Sequence, residues 1–129
     1  MDPEALVKAG HQILDALDKA GIPPVFGAWI HNLETDVWKL WIVPPIRKNH
    51  KEKVGKEEFF LTLSKIISGD RKGFQDFDIG MIVFKSLSDR VVELIGRNFK
   101  APGFTNVYLK NCTFDGFLIE ECVIVRSDL

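Results

Sequence analysis

Residues 104–126 read Phe-Thr-Asn-Val-Tyr-Leu-Lys-Asn-Cys-Thr-Phe-Asp-Gly-Phe-Leu-Ile-Glu-Glu-Cys-Val-Ile-Val-Arg. Asp115-Gly116 between two apolar runs is the strongest short-range signal of a β-hairpin. It predicts strands over Phe104–Thr113 and Phe117–Arg126. A two-residue turn pairs Phe114 with Phe117, Cys112 with Ile119, Lys110 with Glu121 and Tyr108 with Val123. The intervening positions pair Leu109 with Cys122 and Val107 with Ile124. Lys110 opposite Glu121 is a favourable cross-strand charge pair. Val107, Leu109, Cys122 and Ile124 make one apolar face, and a one-residue slip would lose both features. Strict alternation puts Tyr108, Ile119, Val123 and Val125 on an outer face, more apolar than solvent alone explains. It also sends Cys112 and Cys122 to opposite faces, so they cannot bond to each other within the hairpin.

A second hairpin lies upstream. Val25–His31 and Val37–Val43 are rich in aromatic and β-branched residues, and the polar run Asn32–Asp36 turns between them. Trp38, Leu40 and Ile42 share one face of the return strand. Val37, Lys39, Trp41 and Val43 share the other. A strand apolar on both faces is central between two layers or part of an interface.

Helical spacing fills the gaps. Asp2 can cap a helix that opens with Pro3 and Glu4. Leu6, Val7, Ile13, Leu14, Leu17 and Ala20 form its stripe, and Gly21 ends it before Pro23-Pro24. A second helix spans about residue 50 to Ser68, with Phe59, Phe60, Leu63, Ile66 and Ile67 on its core face. Phe77–Phe84 reads as a short third strand. Ser86 or Ser88 caps a third helix carrying Val91, Val92, Leu94 and Ile95, broken by Pro102-Gly103. The order α-β-β-α-β-α-β-β predicts a single α+β domain over residues 1–129. Its mainly antiparallel sheet has about five strands, with helices packed on it.

The 129 residues are enough to bury a core without a metal or disulfide staple. Seventeen basic against eighteen acidic side chains leave a net charge of −1, which excludes a globally basic nucleic-acid binder. The acidic start, the lack of an apolar run of membrane-spanning length and the absence of a C-terminal lipidation box predict a cytoplasmic protein.

Motifs with a mechanism attached to their spacing are missing: no phosphate loop, no nucleophile elbow, no paired-cysteine or zinc-helix pattern, and no cofactor signature. His11, His31 and His50 lack the close spacing of metal ligands and read as surface or boundary residues. Asp70, Asp76, Asp78, Glu120 and Glu121 invite a magnesium-nuclease reading, but a cysteine stands where that pattern wants a lysine, and Glu121 already has Lys110. Arg47, Lys48, Lys51 and Lys53 lie in a basic segment over residues 47–56 that offers an anion site or, without interleaved aromatics, a weak nucleic-acid contact. Short charge runs usually mark a solvated face. Trp29, Trp38 and Trp41 crowd one hairpin. Tryptophans fill cores, and they also anchor interfaces and ligand pockets. The opposite parity of Trp38 and Trp41 sends one of them away from the main helical layer.

The opening helix, Gly21-Ile22-Pro23, the Ala28-Trp29 strand and the return Val37-Trp38-Lys39-Leu40 resemble a group of small uncharacterised bacterial proteins over the first third of the chain. That resemblance implies no site residue.

Three function classes follow. The first is a non-enzymatic interaction module that self-associates as a homodimer through its sheet faces, with Trp29, Trp38, Trp41, Tyr108, Ile119, Val123 and Val125 as contact candidates. The second is a binder of an anionic small molecule, or a small enzyme, with a tryptophan-lined pocket completed by Phe74 or Phe77 and rimmed by Arg47 or Lys48. The third is nucleic-acid binding through residues 47–56.

Overall fold

The computed structural model describes residues 3–45, 56–69, 79–86, 88–99, 106–114 and 116–128. Along the chain come α1 (Pro3–Lys19), β1 (Phe26–Asn32), β2 (Val37–Val43), α2 (Lys56–Gly69), β3 (Ile82–Phe84), α3 (Arg90–Asn98), β4 (Val107–Phe114) and β5 (Phe117–Ser127). The five strands form one mixed sheet in the order β3-β2-β1-β5-β4. Only the β2–β3 pair is parallel. The α+β class and the element order are as the sequence predicts.

The α1 stripe buries Leu6, Ile13, Leu14 and Leu17, each worth about 1.5–3 kcal/mol of apolar transfer. Ala20 falls outside the stripe: it is exposed because the helix has already ended. Gly21 at φ +81° lets the chain reverse. The Gly21 N–H donates to the Asp18 carbonyl and the Ile22 N–H to the Leu17 carbonyl, the paired bonds of a Schellman end.

Helices lie on both faces of the sheet. On one, α1 and the Phe59 and Leu63 side chains of α2 cover Trp29, Leu40, Ile42, Ile82, Val123 and Val125. On the other, Val92 and Ile95 of α3 cover Phe26, Ala28, Val43, Cys122 and Ile124. The parity read in β2 holds, since Trp38 joins the first cluster and Trp41 the second.

Local signals differ from the prediction in three places among the described residues. Residues 50–55, Phe77 and Asp78 lie outside the described residues, as do Asp2, Pro102 and Gly103. Phe60 is not core: it is 41% exposed and meets Phe84 edge-on at 5.8 Å. Residues Ile79–Met81 form a 3₁₀ turn, which shortens the third strand to three residues. The cap of α3 is Asp89, whose carboxylate accepts from the Val91 and Val92 N–H groups at 3.0 Å. Ser86 serves one turn earlier, its hydroxyl oxygen accepting from the Ser88 N–H.

The β4–β5 register is the predicted one at every pair, and Gly116 closes the turn at φ +80°. Val107, Leu109, Cys122 and Ile124 share one face as predicted, but Cys112 and Ile119 join them on it. Asn111 adopts φ +51°, and the ladder skips it and Glu120 opposite. Each strand thereby absorbs one residue. Leu109 and Cys112 share a face, as do Ile119 and Cys122, at a spacing of three where a regular strand requires two. Ile119 is therefore interior on the α3 side, whereas Val123 and Val125 keep the predicted face opposite Cys122 and Ile124 and are buried because α1 and α2 cover it; all three are at most 2% exposed. The expected uncovered outer face reduces to Tyr108. Cys112 and Cys122 share the α3-side cluster rather than opposing each other. Both are free thiols. Three strand positions put them on the order of 10 Å apart, beyond the reach of a disulfide.

Candidate binding site

Helix α3 has nine residues, a rod about 13 Å long, and β5 has eleven, about 36 Å. One short helix cannot roof the whole face. Among the described residues it covers Ala28, Val43 and Ile124, and Phe99 just after it meets Phe114, while the β1–β2 turn and the outer part of β5 are left uncovered. There β1, β2 and β5 frame a groove of about 440 Å³, with Ile30, Val37, Trp41, Phe117, Leu118 and Ile119 as its apolar wall and floor. Lys39, Glu34 and Glu120 also line it. That volume is in the range of small-ligand pockets.

Local geometry fixes these groups. The Asn32 side-chain oxygen accepts from the Glu34 and Thr35 N–H groups, which orders the β1–β2 turn. The Leu33 N–H donates to the Glu120 carboxylate at 3.3 Å, tying that turn to β5. Lys39 donates to the Gly80 carbonyl at 2.8 Å. The Lys85 ammonium stands 4.2 Å over the Trp41 ring, so one face of the indole is already taken by a cation.

The opposite face carries a polar row at the same end of the sheet. Trp38, His31, Glu121 and Lys110 sit side by side on β2, β1, β5 and β4. His31 stacks on Trp38 with centroids 4.4 Å apart. Its Nε2 lies 2.9 Å from an Asp36 oxygen and its Nδ1 3.6 Å from a Glu121 oxygen. Lys110 reaches Glu121 at 3.8 Å.

Glu121 also accepts the Tyr108 hydroxyl, and that hydrogen bond is the main cause pushing the phenol pKa up, followed by partial burial and the carboxylate charge. A phenol whose folded pKa is raised stabilises the fold below about pH 10 and loses that contribution as pH climbs through the folded value. Tyr108 is the chain's single tyrosine. Its phenolate absorbance is expected to titrate at lower pH in Glu121→Gln; an unchanged midpoint would remove Glu121 as the cause.

The sequence candidates separate clearly. Trp29 is interior, its indole N–H donating to the Leu6 carbonyl at 2.7 Å. Trp38 belongs to the polar row, and Trp41 alone of the three lines the groove. Ile119 forms part of the groove floor, whereas Val123 and Val125 lie under α1 and cannot meet a partner. Arg47, Lys48, Lys51, Lys53, Phe74, Phe77, Asp70, Asp76, Asp78 and His50 lie outside the described residues.

No protein-family model, curated protein or solved structure matches the chain.

Among the described residues, no group of three or more His, Cys, Asp or Glu side chains is arranged to hold a metal ion, and no helix is long and apolar enough to cross a membrane. Glu120 lines the groove while Glu121 belongs to the polar row, so the two adjacent carboxylates do not converge. The Cys122 thiol is pushed up to about 12, chiefly by burial and secondarily by the charge of Cys112. Such a thiol is inert as a nucleophile near neutral pH.

Two groups escaped sequence reasoning. Lys39 is a charge on an otherwise apolar strand face, a signal that was available. The approach of His31 to Glu121 depends on β1 pairing with β5, across some ninety residues of sequence, and no local pattern encodes it.

Proposed function

We propose that the protein is an interaction module that self-associates through the hairpin end of its sheet, by binding and not by catalysis. The supporting observation is the groove itself: Val37, Phe117 and Leu118 stand 39–53% exposed around one concavity. Contiguous exposed apolar surface of this kind marks interaction sites, whereas single exposed apolar residues need no explanation. The aromatic content suits an interface core, where tyrosine, tryptophan and phenylalanine are enriched.

An anionic small molecule is the second reading, favoured by Lys39 in the groove. Two carboxylates line the same space and weigh against it.

Sedimentation velocity across a concentration series separates the two. The expected result is a dimer at tens of micromolar, converted to monomer by Phe117→Asp with Leu118→Asp, with an unchanged circular-dichroism melt. Both side chains are about half exposed, so the fold does not depend on them. A monomer at every concentration overturns the proposal, and a thermal shift with organic acids in that monomer would establish the second reading.

A further inference from the structure

The reading as a self-associating module leaves open how two copies meet, and the charges in the groove narrow it. We infer that two copies pair about a two-fold axis passing through the groove, with the Phe117–Leu118 wall of each seated against the other's Trp41 and with Lys39 of each facing the partner copy's Glu34. This deepens the proposed function and rests on it.

A two-fold interface is isologous: one patch must contain its own complement. This patch does. It holds a projecting apolar wall, Phe117 and Leu118, next to a concave floor that includes Trp41 and Ile119. It also holds both signs of charge. Lys39 has a backbone carbonyl as its hydrogen-bond partner and no carboxylate among the described residues. Glu34 makes no ion pair among them either, and its carboxylate projects from an exposed turn. Glu120 is engaged by the Leu33 N–H, which leaves Glu34 as the unclaimed acid. Since Lys39 and Glu34 line the same concavity, one axis between them exchanges the two and forms the ion pair twice. A uniformly acidic partner would meet Glu34 and Glu120, and a uniformly basic one would meet Lys39. A second copy supplies the opposite charge to both Lys39 and Glu34, while Glu120 keeps the Leu33 N–H.

A charge-exchange experiment tests the geometry. Lys39→Glu and Glu34→Lys, each alone, are expected to raise the dimer Kd about tenfold or more through like-charge contact. An equimolar mixture of the two variants is expected to form a heterodimer, and the double variant Lys39→Glu with Glu34→Lys to recover the homodimer. Lys39→Glu also loses the bond to Gly80, so Glu34→Lys, which touches no internal bond of its side chain, carries the test independently. If wild type dimerises but the single variants do so equally well, or the mixture fails to pair, this geometry is overturned while self-association stands. If wild type is monomeric, both fall together.

Discussion

Replacing Trp29 with alanine is expected to cost about 3–5 kcal/mol, the range for deleting a large aromatic from a core. That is a large fraction of the 5–15 kcal/mol or so that holds a typical folded chain. Trp29 has no exposed surface and sits at the centre of the cluster between the sheet and α1. Its indole N–H is satisfied by the Leu6 carbonyl at 2.7 Å. The fit is tight on the helix side, because a Cβ built on Gly10 would lie 2.9 Å from the indole nitrogen. Glycine at position 10 is thus a packing requirement. In an unconstrained helix Gly→Ala stabilises by about 1 kcal/mol. Here Gly10→Ala must displace the indole, with an overpacking cost of about 1–3 kcal/mol and a strained or lost hydrogen bond from a buried donor. The net effect expected is destabilising. In a Trp29→Phe background the conflict disappears and Gly10→Ala is expected to stabilise. Urea unfolding of the four variants measures this coupling. Equal effects of Gly10→Ala in both backgrounds would show that the indole is not what excludes the methyl group.

The readings that succeeded rest on local chemistry. Asp115-Gly116 sets the β4–β5 register because the turn itself fixes which residues face each other. The stripe of α1 and its glycine end follow from helical spacing and from the bonds available at a helix terminus. The opposite fates of Trp38 and Trp41 follow from strand parity, and Trp41 does face the less covered side. What failed was arithmetic carried past Asn111. Pairing survives there, but one extra residue in each strand reverses the facing of the turn end of the hairpin, where Cys112 and Ile119 lie. That dihedral moves Cys112 and Ile119 to the α3 side; Val123 and Val125 keep the face opposite Cys122 and Ile124, which is buried because β5 lies inside the sheet under α1 and α2. Asparagine is among the residues that most readily take this conformation, so the cue was present in the sequence but ambiguous. The site was half legible. Trp41 was visible as an aromatic without a layer. Glu34 and Lys39 read as ordinary solvated charges until the sheet order brought the β1–β2 turn beside β5.

The ion pair at the other end of the sheet is expected to show an asymmetry that its burial dictates. Arg126 is 8% exposed at its side chain, and Asp18 is 32% exposed. The guanidinium donates to both Asp18 oxygens at 2.7 Å and to the Pro24 carbonyl at 3.1 Å. One side chain thus joins the end of α1, the connection into β1 and the last turn of the β5 ladder. Removing Asp18 strands a buried cation, whereas removing Arg126 leaves a carboxylate that water can reach. Breaking a fully buried pair costs about 3–5 kcal/mol. Asp18→Ala is expected near the lower end of that range, because its site is partly solvated. Arg126→Met keeps the apolar stem, removes the buried charge and is expected to cost clearly less, since the freed Asp18 hydrates. It does not become neutral, because the Pro24 carbonyl loses its donor and Asp18 stays in the last turn of α1, where the helix dipole disfavours an anion. Thermal or urea unfolding of the two variants decides the matter. A greater loss from Arg126→Met than from Asp18→Ala would mean that the guanidinium acts mainly through its contacts along β5 and Pro24, with Asp18 a minor partner.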